Sequence, residues 1–164
     1  MILLDSQITP TEMKNNVFRA LLFASLLGCL AAFRPITNKK QGIEGYLYKV
    51  SGNQMPSPDK KPAPPLGIKG TLYVYELTNV SQAVKKPGSS FYSSVSTKLI
   101  KKVQTNNKGY FNIQLAAGRY SVFIKKDSVL YANRFDTQNN ITPVEVKAGK
   151  MTKVEMRMDY NAVY

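Results

Sequence analysis

The chain has 164 residues, with 23 Lys or Arg against 10 Asp or Glu, a net charge of +13, no His, no Trp and a single Cys at position 29. That length accommodates one domain with a sizeable core. The missing residue types exclude His-dependent triads, zinc sites built on His or several Cys, and any intramolecular disulfide, so neither a metal nor a cofactor is expected.

Residues 13–33, MKNNVFRALLFASLLGCLAAF, place Lys14 and Arg19 ahead of an apolar run from Ala20 to Phe33, the layout of an export signal. The run is shorter than the roughly 20 apolar residues of a spanning helix. Asp5 and Glu12 precede the basic part, which suits translation from Met13. Leu26-Leu27-Gly28-Cys29 resembles the lipobox of bacterial lipoproteins, where the cysteine sulfur takes the acyl-glycerol group. Leu27 is bulkier than that motif's usual residue, and Leu30 to Phe33 continue the apolar run. Two processing routes stay open: lipidation at Cys29, or ordinary cleavage near Ala31 or Ala32. The expected organisation is a signal segment at 1–33, a linker at 34–40, a β-domain at 41–158 and a frayed or weakly docked tail at 159–164.

Gln41 to Val50, QGIEGYLYKV, reads as a first strand rich in aromatic residues. A Pro-rich insertion follows at 53–67, where Pro56, Pro58, Pro62, Pro64 and Pro65 favour extended structure without ladder hydrogen bonds. It reads as a surface loop, or as one presented to a partner. Ile68 to Leu77 alternates with apolar residues on both faces, as a central strand does. Ser81 to Lys86 has room for a short helical turn, and Lys85 to Ser90 is a turn region. A further strand is expected from about Thr97 to Gln104.

Thr105 to Ile124, TNNKGYFNIQLAAGRYSVFI, carries the plainest pattern. Asn106, Asn107 and Gly109 supply a turn, Phe111, Ile113 and Leu115 alternate inward, Gly118 supplies a second turn, and Tyr120, Val122 and Ile124 alternate again. An antiparallel hairpin is expected there. Val129 to Phe135 reads as a short strand or an irregular crossover. Val144 and Val146, then Val154, Met156 and Met158, read as two last strands joined as a hairpin through Ala148-Gly149-Lys150. The whole predicts an all-β fold, an antiparallel seven-stranded β-sandwich.

The order of motifs resembles the carboxypeptidase regulatory-like domain, a transthyretin-like (prealbumin-like) Greek-key β-sandwich. The resemblance rests on Gly45 and Leu47, Thr71 to Tyr75, Thr105, Gly109, Phe111, Gly118, Tyr120 and Val122. Asn106 stands where the family usually has Asp, Ala117 where it has Pro, and the insertion at 53–67 is a clearer departure. The resemblance implies an exported accessory module of the kind common in Bacteroidetes-type bacteria, and no catalytic residue.

Removing residues 1–33 leaves the charge at +13, because that segment carries Asp5 and Glu12 against Lys14 and Arg19. Lys-Lys pairs stand at 39–40, 60–61, 85–86, 101–102 and 125–126. Such a field draws polyanions, here lipopolysaccharide or an acidic glycan of the envelope, while Lys at strand edges also keeps sheets from adding to each other. Nucleic acid is disfavoured, because no signature interleaves the aromatics with Arg. Tyr46, Tyr48, Tyr73 and Tyr75 are candidates for an exposed stacking strip for sugar or peptide. The reading is a non-enzymatic exported module of the bacterial cell envelope, periplasmic, extracellular, or anchored in the outer membrane if lipidated at Cys29. It binds a protein partner or an envelope polyanion and touches membrane only through the anchor. The alternative is a carboxylate-based hydrolase of envelope glycans, which needs two of Glu44, Asp59, Glu76, Asp127, Asp136, Glu145, Glu155 and Asp159 to converge.

Overall fold

Inward-facing apolar residues spaced by two, carried on short segments bounded by Gly, Asn and Pro, assemble into eleven strands among the described residues of the computed structural model, which are 40–55 and 64–164. In chain order they are β1 (Gly42–Asn53), β2 (Leu66–Gly67), β3 (Thr71–Glu76), β4 (Ala83–Lys85), β5 (Phe91–Val95), β6 (Leu99–Gln104), β7 (Tyr110–Gln114), β8 (Gly118–Lys126), β9 (Val129–Tyr131), β10 (Pro143–Val146) and β11 (Met151–Val163). The signal segment at 1–33, Cys29, residues 34–39 of the linker and residues 56–63 of the Pro-rich insertion lie outside the described residues.

The architecture is the expected all-β sandwich. A seven-stranded antiparallel sheet runs in the order β4-β5-β9-β8-β3-β6, with β10 also on β8. A four-stranded sheet is built around β1, which has β11 on one side and both β7 and β2 on the other. The core lies between them: Ile43, Leu47, Phe111, Ile113 and Met156 from the smaller sheet meet Leu72, Val74, Val122, Ile124, Tyr131, Val144 and Val146 from the larger. Each of these side chains is less than a tenth exposed. Their burial is the main stabilising term, at about 25 cal/mol per Å² of apolar surface removed from water.

Two expected hairpins are instead corners between the sheets. β7 pairs with β1, whereas β8 pairs with β3, β9 and β10, so Thr105 to Ile124 does not fold back on itself. Likewise β10 pairs with β8 and β11 with β1, so Ala148-Gly149-Lys150 joins the two sheets. Alternation cannot tell these apart, because strands facing each other across a core show the same inward period as strands side by side.

The β1–β11 pair is parallel, joining the first strand to the last. It also corrects the expected frayed or weakly docked tail, since β11 continues to pair with β1 as far as Val163. The register slips by one residue, from Lys49 opposite Met158 to Ser51 opposite Asn161, placing a bulge on β11 at Asp159–Tyr160. The insertion is shorter than expected, because Asn53 belongs to β1, and Leu66 and Gly67 pair with Lys49 and Tyr48.

The turn residues serve the backbone. Asn106 Oδ1 accepts from the amides of Lys108 and Tyr110, both at 2.9 Å. The buried Thr105 hydroxyl accepts from Gly70 N and donates to Ile68 O, both at 2.8 Å, which ties the β6–β7 corner to the entrance of β3. Gly109 has φ +82°, and a Cβ there would sit 2.3 Å from the Leu47 carbonyl oxygen. A 3-10 turn, Val80–Gln82, capped by the Asn79 side chain, takes up only the start of the segment Ser81 to Lys86 read as a helical turn, and Ala83–Lys85 are instead strand β4.

A second apolar cluster, Tyr92, Phe123, Leu130, Ala132 and Ile141, packs on the far side of the larger sheet with Tyr73 and Tyr75 against it. Beside it, Asp136 accepts from the amides of Gln138 and Asn140, the Asn140 side chain and Arg119. The Asn140 side chain is the main cause holding the Asp136 carboxyl below its ordinary range, with the backbone amides and Arg119 adding to it.

Candidate functional sites on the two sheet faces

With Ile43 and Leu47 turned into the core, Glu44, Tyr46 and Tyr48 point outward from the smaller sheet. β7 sets Tyr110 opposite Tyr46 and Asn112 opposite Glu44, while β11 sets Lys153, Glu155 and Arg157 opposite Glu44, Tyr46 and Tyr48. The Tyr46 and Tyr48 rings stack 5.9 Å apart with 17° between their planes, and Tyr110 stands edge-on to Tyr46 at 5.4 Å and 60°. They line an open groove of about 410 Å³. At one end the Tyr110 hydroxyl donates to Glu44 Oε2 at 3.1 Å, and the Asn112 amide reaches both atoms at 3.4 Å. Alongside, Arg157 Nε donates to Glu155 Oε1 at 2.6 Å.

The four candidate tyrosines therefore do not form one strip. Tyr73 and Tyr75 lie on the outer face of the other sheet, half-buried against the second cluster. There the Lys102 ammonium sits 4.8 Å from the Tyr73 ring centre and that of Lys125 5.8 Å from it. β6 and β8 flank β3, so the sheet itself brings both lysines to one ring. Lys69 and Lys108 line a shallow hollow at the same end, beside Asn106 and Asn107. Among the described residues these four lysines make no ion pair. The 85–86 pair lines a separate hollow at the β4–β5 turn, and Lys126 pairs with Asp127 at 2.9 Å.

Glu44 and Glu155 line the tyrosine groove together, and Glu145 and Glu155 line a neighbouring one. Glu76 and Asp127 are exposed elsewhere, Asp136 organises its loop, and Asp59 lies outside the described residues. Among the described residues no group of three or more His, Cys, Asp or Glu is arranged to hold a metal ion.

Asp159 makes a connection that sequence pattern did not reveal. It accepts from the Tyr131 hydroxyl, from the Asn133 amide at 2.5 Å and from the Tyr164 hydroxyl at 2.9 Å. The adjacent Tyr160 packs against Phe91 and Tyr131. Burial, and then the bond to Asp159, push the Tyr131 phenol well above its ordinary range. The only sequence cue was a lone acid followed by tyrosines at 160 and 164.

No family model, curated protein or solved structure matches this chain.

Proposed function

We propose that this chain is a non-enzymatic, exported β-sandwich module of the bacterial cell envelope that holds an acidic envelope polysaccharide on its lysine-bearing face. In this reading residues 1–33 direct export, Cys29 is the residue lipidated if the signal is of the lipoprotein type, and the domain is of the carboxypeptidase regulatory-like kind. The carrying observation is the pair Lys102 and Lys125 on the Tyr73 ring. Two ammonium groups held beside one ring, with Lys69 and Lys108 at the same end, concentrate positive charge on a rigid sheet rather than on a loose tail.

The test is binding of polygalacturonate and of lipopolysaccharide to the purified protein across a salt series. Affinity falls at least about tenfold between roughly 50 and 300 mM salt, and Lys102→Ala with Lys125→Ala weakens it further. Binding that ignores both salt and the two substitutions removes the reading.

One observation favours the hydrolase alternative, the presence of Glu44 and Glu155 in one groove. Release of reducing sugar that Glu44→Gln and Glu155→Gln each abolish would establish it. The open groove and the Arg157 partner of Glu155 favour binding, because a general acid is ordinarily kept protonated by a desolvated site.

A further inference from the structure

The tyrosine groove lies on the sheet opposite the lysine face, and its chemistry differs. On a chain of net charge +13, its lining carries Glu44 and Glu155 against Lys153, with Arg157 paired to Glu155 alongside, so the groove has no excess of positive charge. Tyr46 is 43% exposed and its ring stacks with that of Tyr48, so the pair presents exposed aromatic surface to solvent. Beside that surface stand a carboxylate, a phenol and an amide already linked to one another, offering both donors and acceptors. An exposed tyrosine ring edged by groups that both donate and accept hydrogen bonds matches a pyranose ring, which has an apolar C–H face and a rim of hydroxyls. It does not match a polyanion, because Lys153 is the one cation in a lining that also holds Glu44 and Glu155.

We propose that the outer face of the four-stranded sheet is a binding site for an uncharged glycan chain, with sugar rings stacked on Tyr46 and Tyr48 and hydroxyls bonded to Glu44, Tyr110 and Asn112. The strand pairing holds these side chains in place before binding, so little side-chain freedom is lost on association. Tyr110 forms the wall that sets the direction of the chain along the groove. This site is independent of the lysine face, and each stands or falls separately.

The purified full-length protein is titrated with cellohexaose, maltohexaose and chitohexaose. The absence of Trp leaves tyrosine emission unmasked as a readout. At least one hexasaccharide is expected to change that emission and to shift backbone amide resonances at Gly45 to Tyr48 and at Tyr110. Tyr46→Ala and Tyr48→Ala should each weaken binding about tenfold or more, one ring's contribution, while Tyr73→Ala on the opposite sheet leaves it within about twofold. Resonance shifts on the unsubstituted protein carry the test if a variant fails to fold. The proposal is overturned if none of the three sugars at about 10 mM moves those resonances, if the shifts fall elsewhere, or if binding survives both substitutions. It is equally overturned if the protein dimerises with concentration and hides Tyr46.

Discussion

The Tyr131 hydroxyl donates to the Asp159 carboxylate, and through that bond the last strand of the smaller sheet is fastened to the larger one. Tyr131 is 1% exposed, so its hydroxyl has no access to bulk water as a substitute partner. The bulge on β11 lets two consecutive residues, Asp159 by hydrogen bond and Tyr160 by ring contact, reach the same tyrosine. Asp159→Ala should therefore cost about 1–3 kcal/mol, because it strands a buried hydroxyl and the Asn133 amide together. Adding Tyr131→Phe to Asp159→Ala should recover part of that loss. Urea midpoints of the single and double variants measure the coupling.

The same pair predicts an alkaline weakness. An ordinary phenol titrates near 10, and the folded chain holds Tyr131 above that value, first by burial and then by Asp159. Tyr92 and Tyr75 are also raised, chiefly by burial. The unfolded chain thus loses these protons first as pH rises. Their contribution is fully present below about pH 10 and declines as pH rises toward the folded values. Urea midpoints should be flat from about pH 8 to 9.5 and fall above that, and Tyr131→Phe should flatten the fall. An unchanged alkaline slope in Tyr131→Phe would show that this phenol is not its source.

A stop after Met158 removes Asp159, the Tyr160 ring and the pairing of Ser51 to Asn53 with Asn161 to Val163. A frayed tail would lose almost nothing. Here the loss should be at least about 2 kcal/mol, from a buried hydroxyl left unpaired and aromatic contacts forfeited. Near-UV circular dichroism should change as well, because Phe91 and Tyr131 lose the ring packed against them.

Gly109→Ala should destabilise the domain by more than the roughly 1–3 kcal/mol of a non-glycine residue at positive φ. The added Cβ would also meet the Leu47 carbonyl oxygen at 2.3 Å, and the Leu47 amide donates to the Gly109 carbonyl at 2.8 Å, so both strands must shift. Gly88→Ala is the control. It has φ +64° but nothing within 4 Å of the new Cβ, so it should cost only the backbone strain. Thermal midpoints of the two variants separate the contributions.

Much of the candidate site was legible as residues but not as a place. Tyr46, Tyr48, Tyr73 and Tyr75 stood out in sequence because aromatic residues alternate in two strands. That Tyr46 and Tyr48 face one solvent and Tyr73 and Tyr75 the other depends on β1 and β3 joining different sheets. Tyr110, which carried no sequence signal of its own, becomes a groove wall because β7 pairs antiparallel to β1 with Tyr110 opposite Tyr46. Lys102 and Lys125, far apart in sequence, meet at Tyr73 because β6 and β8 flank β3.

The period of two, the turn residues and the scarcity of any helical pattern were enough to establish an all-β chain and to name its inward side chains, because burial of alternate residues is a local property of an extended backbone. Phe111, Ile113, Leu115, Val122 and Ile124 all lie in the core as their alternation requires. Partnership between strands is not local. Whether Gly118 and Gly149 turn hairpins or corners, and whether Asp159 to Val163 frays or completes a parallel pair, depends on which distant edge offers open hydrogen-bonding groups and matching apolar surface. That contest is decided by the closed core of two sheets, and with it the separation of a lysine face from a tyrosine groove.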